Sequence, residues 1–204
     1  MIDLGTLGGS ITNGVAINDP GTAVGTSATH SGAMHAFLWR DGHMTDLGTL
    51  GGRSSAAVGI NDRDQVIDWS DVSGSTAVGL HHAFVWERGR MTDLGTLGGA
   101  QSEPVDVNAR GQIVGWSETD IPGDSHAFLW QNGKMTDLGA RGGVLSTAIA
   151  INDRGRVGAE PSGHNSPNDS DVVPAMSIDP QGVEVAATLR RPDGHTRAIV
   201  WRRK

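Results

Sequence analysis

The stretch MTDLGTLGG stands at Met44 to Gly52 and recurs letter for letter at Met91 to Gly99. MIDLGTLGG from Met1 and MTDLGARGG from Met135 are two further copies. Successive copies start 43, 47 and 44 residues apart. A period of that length restricts the chain to equivalent units that bury their apolar faces against one another, each about the size of a four-stranded propeller blade.

Each unit reads as two hairpins. A Gly-rich loop leads to an apolar-Asn pair, AIN at Ala16, GIN at Gly59, DVN at Asp106 and AIN at Ala150. The turns NDPG, NDRD, NARG and NDRG follow, starting at Asn18, Asn61, Asn108 and Asn152. Asn or Asp early and Gly at the fourth place suit a type I turn closed by a residue of positive φ. A β-rich run then completes the first hairpin. The second hairpin is HAFLWRDGHMTDLG from His35, repeated as HAFVWERGRMTDLG from His82 and HAFLWQNGKMTDLG from His126. Its apolar AFLW run predicts a strand covered on both faces, and Asp-Gly, Arg-Gly and Asn-Gly predict the turn to the MTDL strand. No segment has a 3.6-residue apolar period, so the expectation is all-β.

HAFLW, MTDLGTLGG and the Ile-Asn turn pattern together resemble the HAF family of extracellular repeats. The resemblance covers Met1 to about Gly158 closely and Ala175 to Trp201 more weakly. It implies a β-propeller-like repeat fold and an extracellular setting, and implies no particular chemistry.

Near the C-terminus, AMSIDPQGVEVAATL from Ala175 matches the first hairpin and RAIVW from Arg197 matches HAFLW, with Arg197 in the His place. No MTDLG follows it, whereas MIDLG at Met1 has no HAFLW before it. The expectation is one small β-propeller over residues 1–204, its ring closed by the N-terminal strand completing the last blade. The units are 1–43, 44–90, 91–134, a degenerate 135–174, and 175–204 with the N-terminal strand. Five first hairpins against four AFLW-like strands favour five blades, the fourth reduced. A four-bladed ring with an extra hairpin, or an incomplete ring closing by dimerisation, are the alternatives.

The 30 glycines fit many tight turns, without the three-residue period of collagen. A net charge of −7 argues against nucleic acid or an anionic membrane as partner. No apolar run approaches a membrane span. The N-terminus has no basic flank followed by an apolar core, so the chain as it stands reads as cytoplasmic, against the extracellular setting that the resemblance implies. Cysteine is absent, which removes disulfides, thiolate metal sites and cysteine nucleophiles. No G-x-S-x-G, H-E-x-x-H, P-loop or EF-hand pattern occurs, so no metal and no cofactor are expected.

Function is expected on the face where the inserts vary, those from Ser27, Ser70, Ser117 and Glu160. Residues that depart from the repeat are the candidates. Asp68 stands where other copies have Gly25, Gly115 and Gly158, and Asp106 where they have Ala16, Gly59 and Ala150. Glu160 replaces the serine of Ser27, Ser70 and Ser117. Trp69 and Trp116 hold a position that is Thr26 or Ala159 elsewhere. Trp69, Trp116, Glu103 and His164 are ligand-binding candidates, aromatic faces with polar neighbours suiting a small molecule or glycan. Asp68, Asp106 and Glu160, with His81 or His164 as proton carrier, are the candidates should the scaffold be an enzyme, a hydrolase, lyase or cyclase. NSPNDSDVV from Asn165, with His164, is oxygen-rich but lacks calcium-loop spacing. The recurrent His35, His82 and His126 read as structural, bonded to a neighbouring blade. Asp46, Asp93, Asp137 and Asp3 read as acceptors for the Gly-rich loop N–H groups. A binding module, an enzyme on the same scaffold and a structural or protein-binding repeat domain all remain open, as monomer or homodimer.

Overall fold

The computed structural model describes residues 2–73, 80–140 and 144–161, with side chains to residue 159, and the strand backbones of 173–178, 184–190 and 196–202. It is all-β and antiparallel, with no helix among the described residues. The first sheet runs in chain order through β1 (Gly8–Ile17), β2 (Ala23–Thr29), β3 (Met34–Arg40) and β4 (His43–Asp46). The second holds β5 (Gly51–Ser55), β6 (Gly59–Ile60), β7 (Val66–Val72), β8 (His81–Glu87) and β9 (Arg90–Gly95). The third is β10 (Gly98–Val107), β11 (Ile113–Thr119), β12 (Ser125–Gln131) and β13 (Lys134–Asp137). Among the described residues, β14 (Ser146–Ile151) and β15 (Val157–Pro161) of the fourth repeat pair with each other. β16 (Val173–Ile178), β17 (Glu184–Arg190) and β18 (Thr196–Arg202) form the last sheet. Ile2–Thr6, the stretch expected to add its fourth strand, has no strand conformation.

Turn chemistry sets the hairpins. Asp41 and Gly42, Arg88 and Gly89, and Asn132 and Gly133 each take positive φ in succession, the two-residue turn that matches strand twist. In the Asn turns the fourth residue is left-handed, as Gly21, Asp64, Gly111 and Gly155.

The sheets pack face to face through side chains of alternate parity. Val24, Ala36 and Leu38 of the first meet Val66 and Phe84 of the second. Ile67, Ala83 and Val85 on the other face of the second meet Ile113 and Phe128 of the third. Val114 and Ala127 of the third meet Ala148 and Ile151 of the fourth. The AFLW strand is therefore buried on both faces, as its composition predicts.

The recurrent polar residues staple this stack. His35, His82 and His126 bond through Nδ1 to Asp46, Asp93 and Asp137 at 2.9–3.0 Å, within their own hairpins and not to a neighbouring blade as expected. The hairpin register places each pair on adjacent strands. The same carboxylates accept the N–H of Gly48, Gly95 and Gly139 at 2.8, 2.7 and 2.6 Å, and Asp3 accepts that of Gly5, as expected. Ser55, Ser102 and Ser146 carry the link between sheets. Each accepts the N–H of Ala36, Ala83 or Ala127 in the preceding sheet and donates to the Gly-loop carbonyl of Gly48, Gly95 or Gly139.

The turn Asn residues do the same at the opposite end. The side-chain oxygens of Asn18, Asn61, Asn108 and Asn152 accept the N–H of Thr22, Gln65, Gln112 and Arg156, closing their own turns. The Nδ2 groups of Asn18, Asn61 and Asn108 donate to the carbonyls of Asn61, Asn108 and Asn152, one repeat further on. No helix of the described residues is long and apolar enough to cross a membrane.

Candidate functional site

Glycine is required at Gly25 and Gly115 because each sheet's first strand presses its backbone onto the second there. A Cβ at Gly25 would lie 2.0 Å from the Asn13 carbonyl oxygen, and one at Gly115 2.0 Å from that of Glu103. Asp68 holds this place in the second sheet. Where β1 and β10 run unbroken for 10 residues, the corresponding stretch is split into β5 and β6 around Ala56–Val58. Ala56 and Val58 still donate to the Trp69 and Ile67 carbonyls, so the strand bows away without detaching.

Asp68 is 7% exposed and among the described residues has no ion-pair partner. Its Oδ1 accepts the Trp69 N–H at 2.6 Å. Burial pushes the carboxyl up to about 7, against the pull of that bond, and the negative charge of Glu103 adds to the rise. Glu103 Oε1 lies 2.9 Å from His81 Nε2, which is buried and not aligned for a hydrogen bond. The His81 ring in turn stands 5.3 Å from that of Trp69, tilted by 53°.

Trp69, His81 and Glu103 therefore meet at the junction of the second and third sheets, whereas Asp68, in register with Phe84, lies on the second sheet's other face and reaches Glu103 only through its charge. None of them is dictated by the repeat. Register equivalents of His81 are Met34 and Ser125, and those of Glu103 are Asn13 and Ala148.

The other candidates lie elsewhere. Asp106 spans two sheets, its Oδ1 accepting Val107 N–H and its Oδ2 Ile151 N–H, both at 2.8 Å. Both oxygens are thus occupied by backbone. Trp116, the cross-strand partner of Glu103, lines a separate pocket of about 230 Å³ with Glu118, Ile121, Pro122, Asp124 and Leu145. Glu160 pairs with Thr147 in the β14–β15 ladder, but its side chain lies outside the described residues, as does His164 altogether. No metal-binding group of His, Asp and Glu occurs among the described residues.

On the opposite face, an open cavity of about 510 Å³ is lined by the Asn turns of four repeats, with Ile17, Ile60, Val107 and Ile151 contributing its apolar wall. Sequence reasoning assigned those residues to turns alone. The signal was the apolar residue fixed before every turn Asn.

Compared with known proteins, the chain matches no family model and no curated protein.

Proposed function

We propose that the chain is a small-molecule-binding β-propeller, with its ligand at the ring mouth on the variable-loop face. The observation that carries the site is the convergence of three residues that the scaffold does not require, Trp69, His81 and Glu103, on one sheet junction, with the buried Asp68 carboxyl within range of the Glu103 charge. A repeat scaffold keeps such residues together only if something beyond packing uses them. A half-exposed Trp face beside polar groups suits a sugar or another amphipathic small molecule.

Two observations support a ring. Phe84 and Phe128 are buried against the preceding sheet, and Phe37, at the same place in the first sheet, is equally buried. In a ring the neighbour on that side is the last sheet, whose β18 matches HAFLW in sequence. The turns of four repeats also converge on one cavity, as they do around an axis. The resemblance to the extracellular HAF repeats belongs to the same proposal.

The absence of cysteine makes the ring testable with introduced label pairs. Spin labels at Asp41→Cys and Arg88→Cys report adjacent sheets, and labels at Asp41→Cys and Arg202→Cys report first to last. A ring gives similar distances, and a first-to-last distance several times longer rejects it. The site is tested by screening neutral sugars, amines and carboxylic metabolites by two-dimensional NMR of the Trp indole N–H groups. The Trp69 signal, identified by its loss in Trp69→Phe, is expected to move with a binder. A binder that moves only the other signals removes the site from this junction.

A second reading is catalysis. A carboxyl held near neutrality beside a His–carboxylate pair is what general acid–base chemistry uses. Turnover of a hit from the screen, lost in Asp68→Asn with binding retained, is its test.

A further inference from the structure

The charges around Trp69 narrow the ligand class. Among the described residues, Asp64 pairs with Arg40 and Glu87 lies near Arg88, while Asp46, Asp93 and Asp137 each meet an imidazole within their own hairpins. At this junction no Lys or Arg is paired with either acid. Glu103 meets only the imidazole of His81, and Asp68 meets no ionic partner. Burying the Asp68 carboxyl without a cation is costly, and the charge of Glu103 adds to that cost.

We propose, resting on the small-molecule reading of this site, that the junction takes an organic cation, an ammonium or guanidinium group seated on the Trp69 face and paired with Glu103. Three features fit that chemistry together. The Trp69 ring is partly exposed and offers its face, the strongest of the aromatic faces for a cation. Glu103, with 36% of its side chain exposed, gives a carboxylate that a ligand can reach from solvent. Asp68, buried and raised to about 7, adds negative charge in mildly alkaline solution, in a region where water screens little. A bound cation offsets the Asp68–Glu103 repulsion, which adds to the burial that raises the Asp68 carboxyl. A neutral sugar leaves that repulsion in place.

The test uses choline as the cation, 3,3-dimethyl-1-butanol as its uncharged isostere and methyl β-glucoside as a neutral polyol. Each is titrated into the full chain in mildly alkaline buffer at constant ionic strength, with the Trp69 indole N–H signal as readout. Choline is expected to move that signal to saturation, and the isostere at equal concentration to leave it in place. Glu103→Gln is expected to weaken choline binding by about 10-fold or more, because it removes the charge and keeps the shape. Unchanged binding in Glu103→Gln, or equal binding of choline and its isostere, overturns the cation and leaves the site. Methyl β-glucoside moving the signal while choline does not has the same meaning. If choline moves only the Trp116 signal, the cation belongs to the neighbouring pocket and the placement is wrong. If neither these probes nor any member of the wider screen moves Trp69, the cation proposal and the site reading fall together.

Discussion

Gly115 and Asp68 occupy one register position in adjacent sheets, opposite Phe128 and Phe84, yet only Gly115 lies against the backbone of its own first strand. The second sheet has Asp68 where its first strand is interrupted between β5 and β6, on the face opposite to Trp69 and His81.

This asymmetry predicts opposite outcomes for small substitutions. Gly115→Ala forces a Cβ to within 2.0 Å of the Glu103 carbonyl oxygen and is expected to lower stability by about 1–3 kcal/mol or more. Asp68→Gly restores the residue of the other copies and is expected to leave stability unchanged or raise it at neutral pH. Urea unfolding of the two variants checks both. A neutral Gly115→Ala would mean that the strand at Glu103 yields.

The Asp68 carboxyl has a pH signature. Its folded pKa, about 7, lies above the 3.8 of an ordinary aspartate, so the folded state holds this proton more tightly. The contribution is fully present below about pH 4 and is lost as pH rises through 7. Asp68→Asn cannot titrate, so its stability relative to wild type should rise between pH 5 and pH 8 by about 2–3 kcal/mol. Unfolding free energies of both proteins at the two pH values measure the difference, and parallel pH profiles would refute the assignment.

Asn61 is 7% exposed and joins two repeats, accepting Gln65 N–H and donating to the Asn108 carbonyl at 2.9 Å. Asn61→Ala strands both partners and should cost about 2–3 kcal/mol. Asn61→Asp should be at least as harmful, since it turns a donor toward the Asn108 carbonyl into an acceptor. A tolerated Asn61→Asp, measured by thermal unfolding, would show that the carbonyl finds another donor.

Arg88 has φ of 52° in the turn where the other hairpins carry Asp41 and Asn132. A long side chain is disfavoured there, and Arg88 is 3.9 Å from its nearest acid in an exposed setting. Arg88→Asn is therefore expected to stabilise by about 0.5–1 kcal/mol, visible as a small rise in melting temperature. A fall instead would give the Arg88–Glu87 contact more weight than an exposed pair has.

What the sequence determined is local or periodic. Asp41-Gly42 and Asn132-Gly133 announced their turns because positive φ excludes most residues. The repeated AFLW runs announced buried strands because both faces are apolar. The carboxylate of MTDLG could be assigned to its Gly-rich loop because the Asp93-to-Gly95 bond spans two residues. The tertiary structure decided which side chains meet. His82 pairs with Asp93 inside its hairpin, since register sets them side by side. Asn18 reaches across to Asn61, a contact 43 residues away that no short pattern contains. Glu103 and Asp106 stand three residues apart on β10, yet one meets His81 and the other accepts Ile151 N–H. A register shift between Pro104 and Asp106 breaks the two-residue alternation there, so spacing alone no longer gives direction. The repeat thus specifies the scaffold, whereas the meeting of Trp69, His81 and Glu103 depends on how two sheets stack.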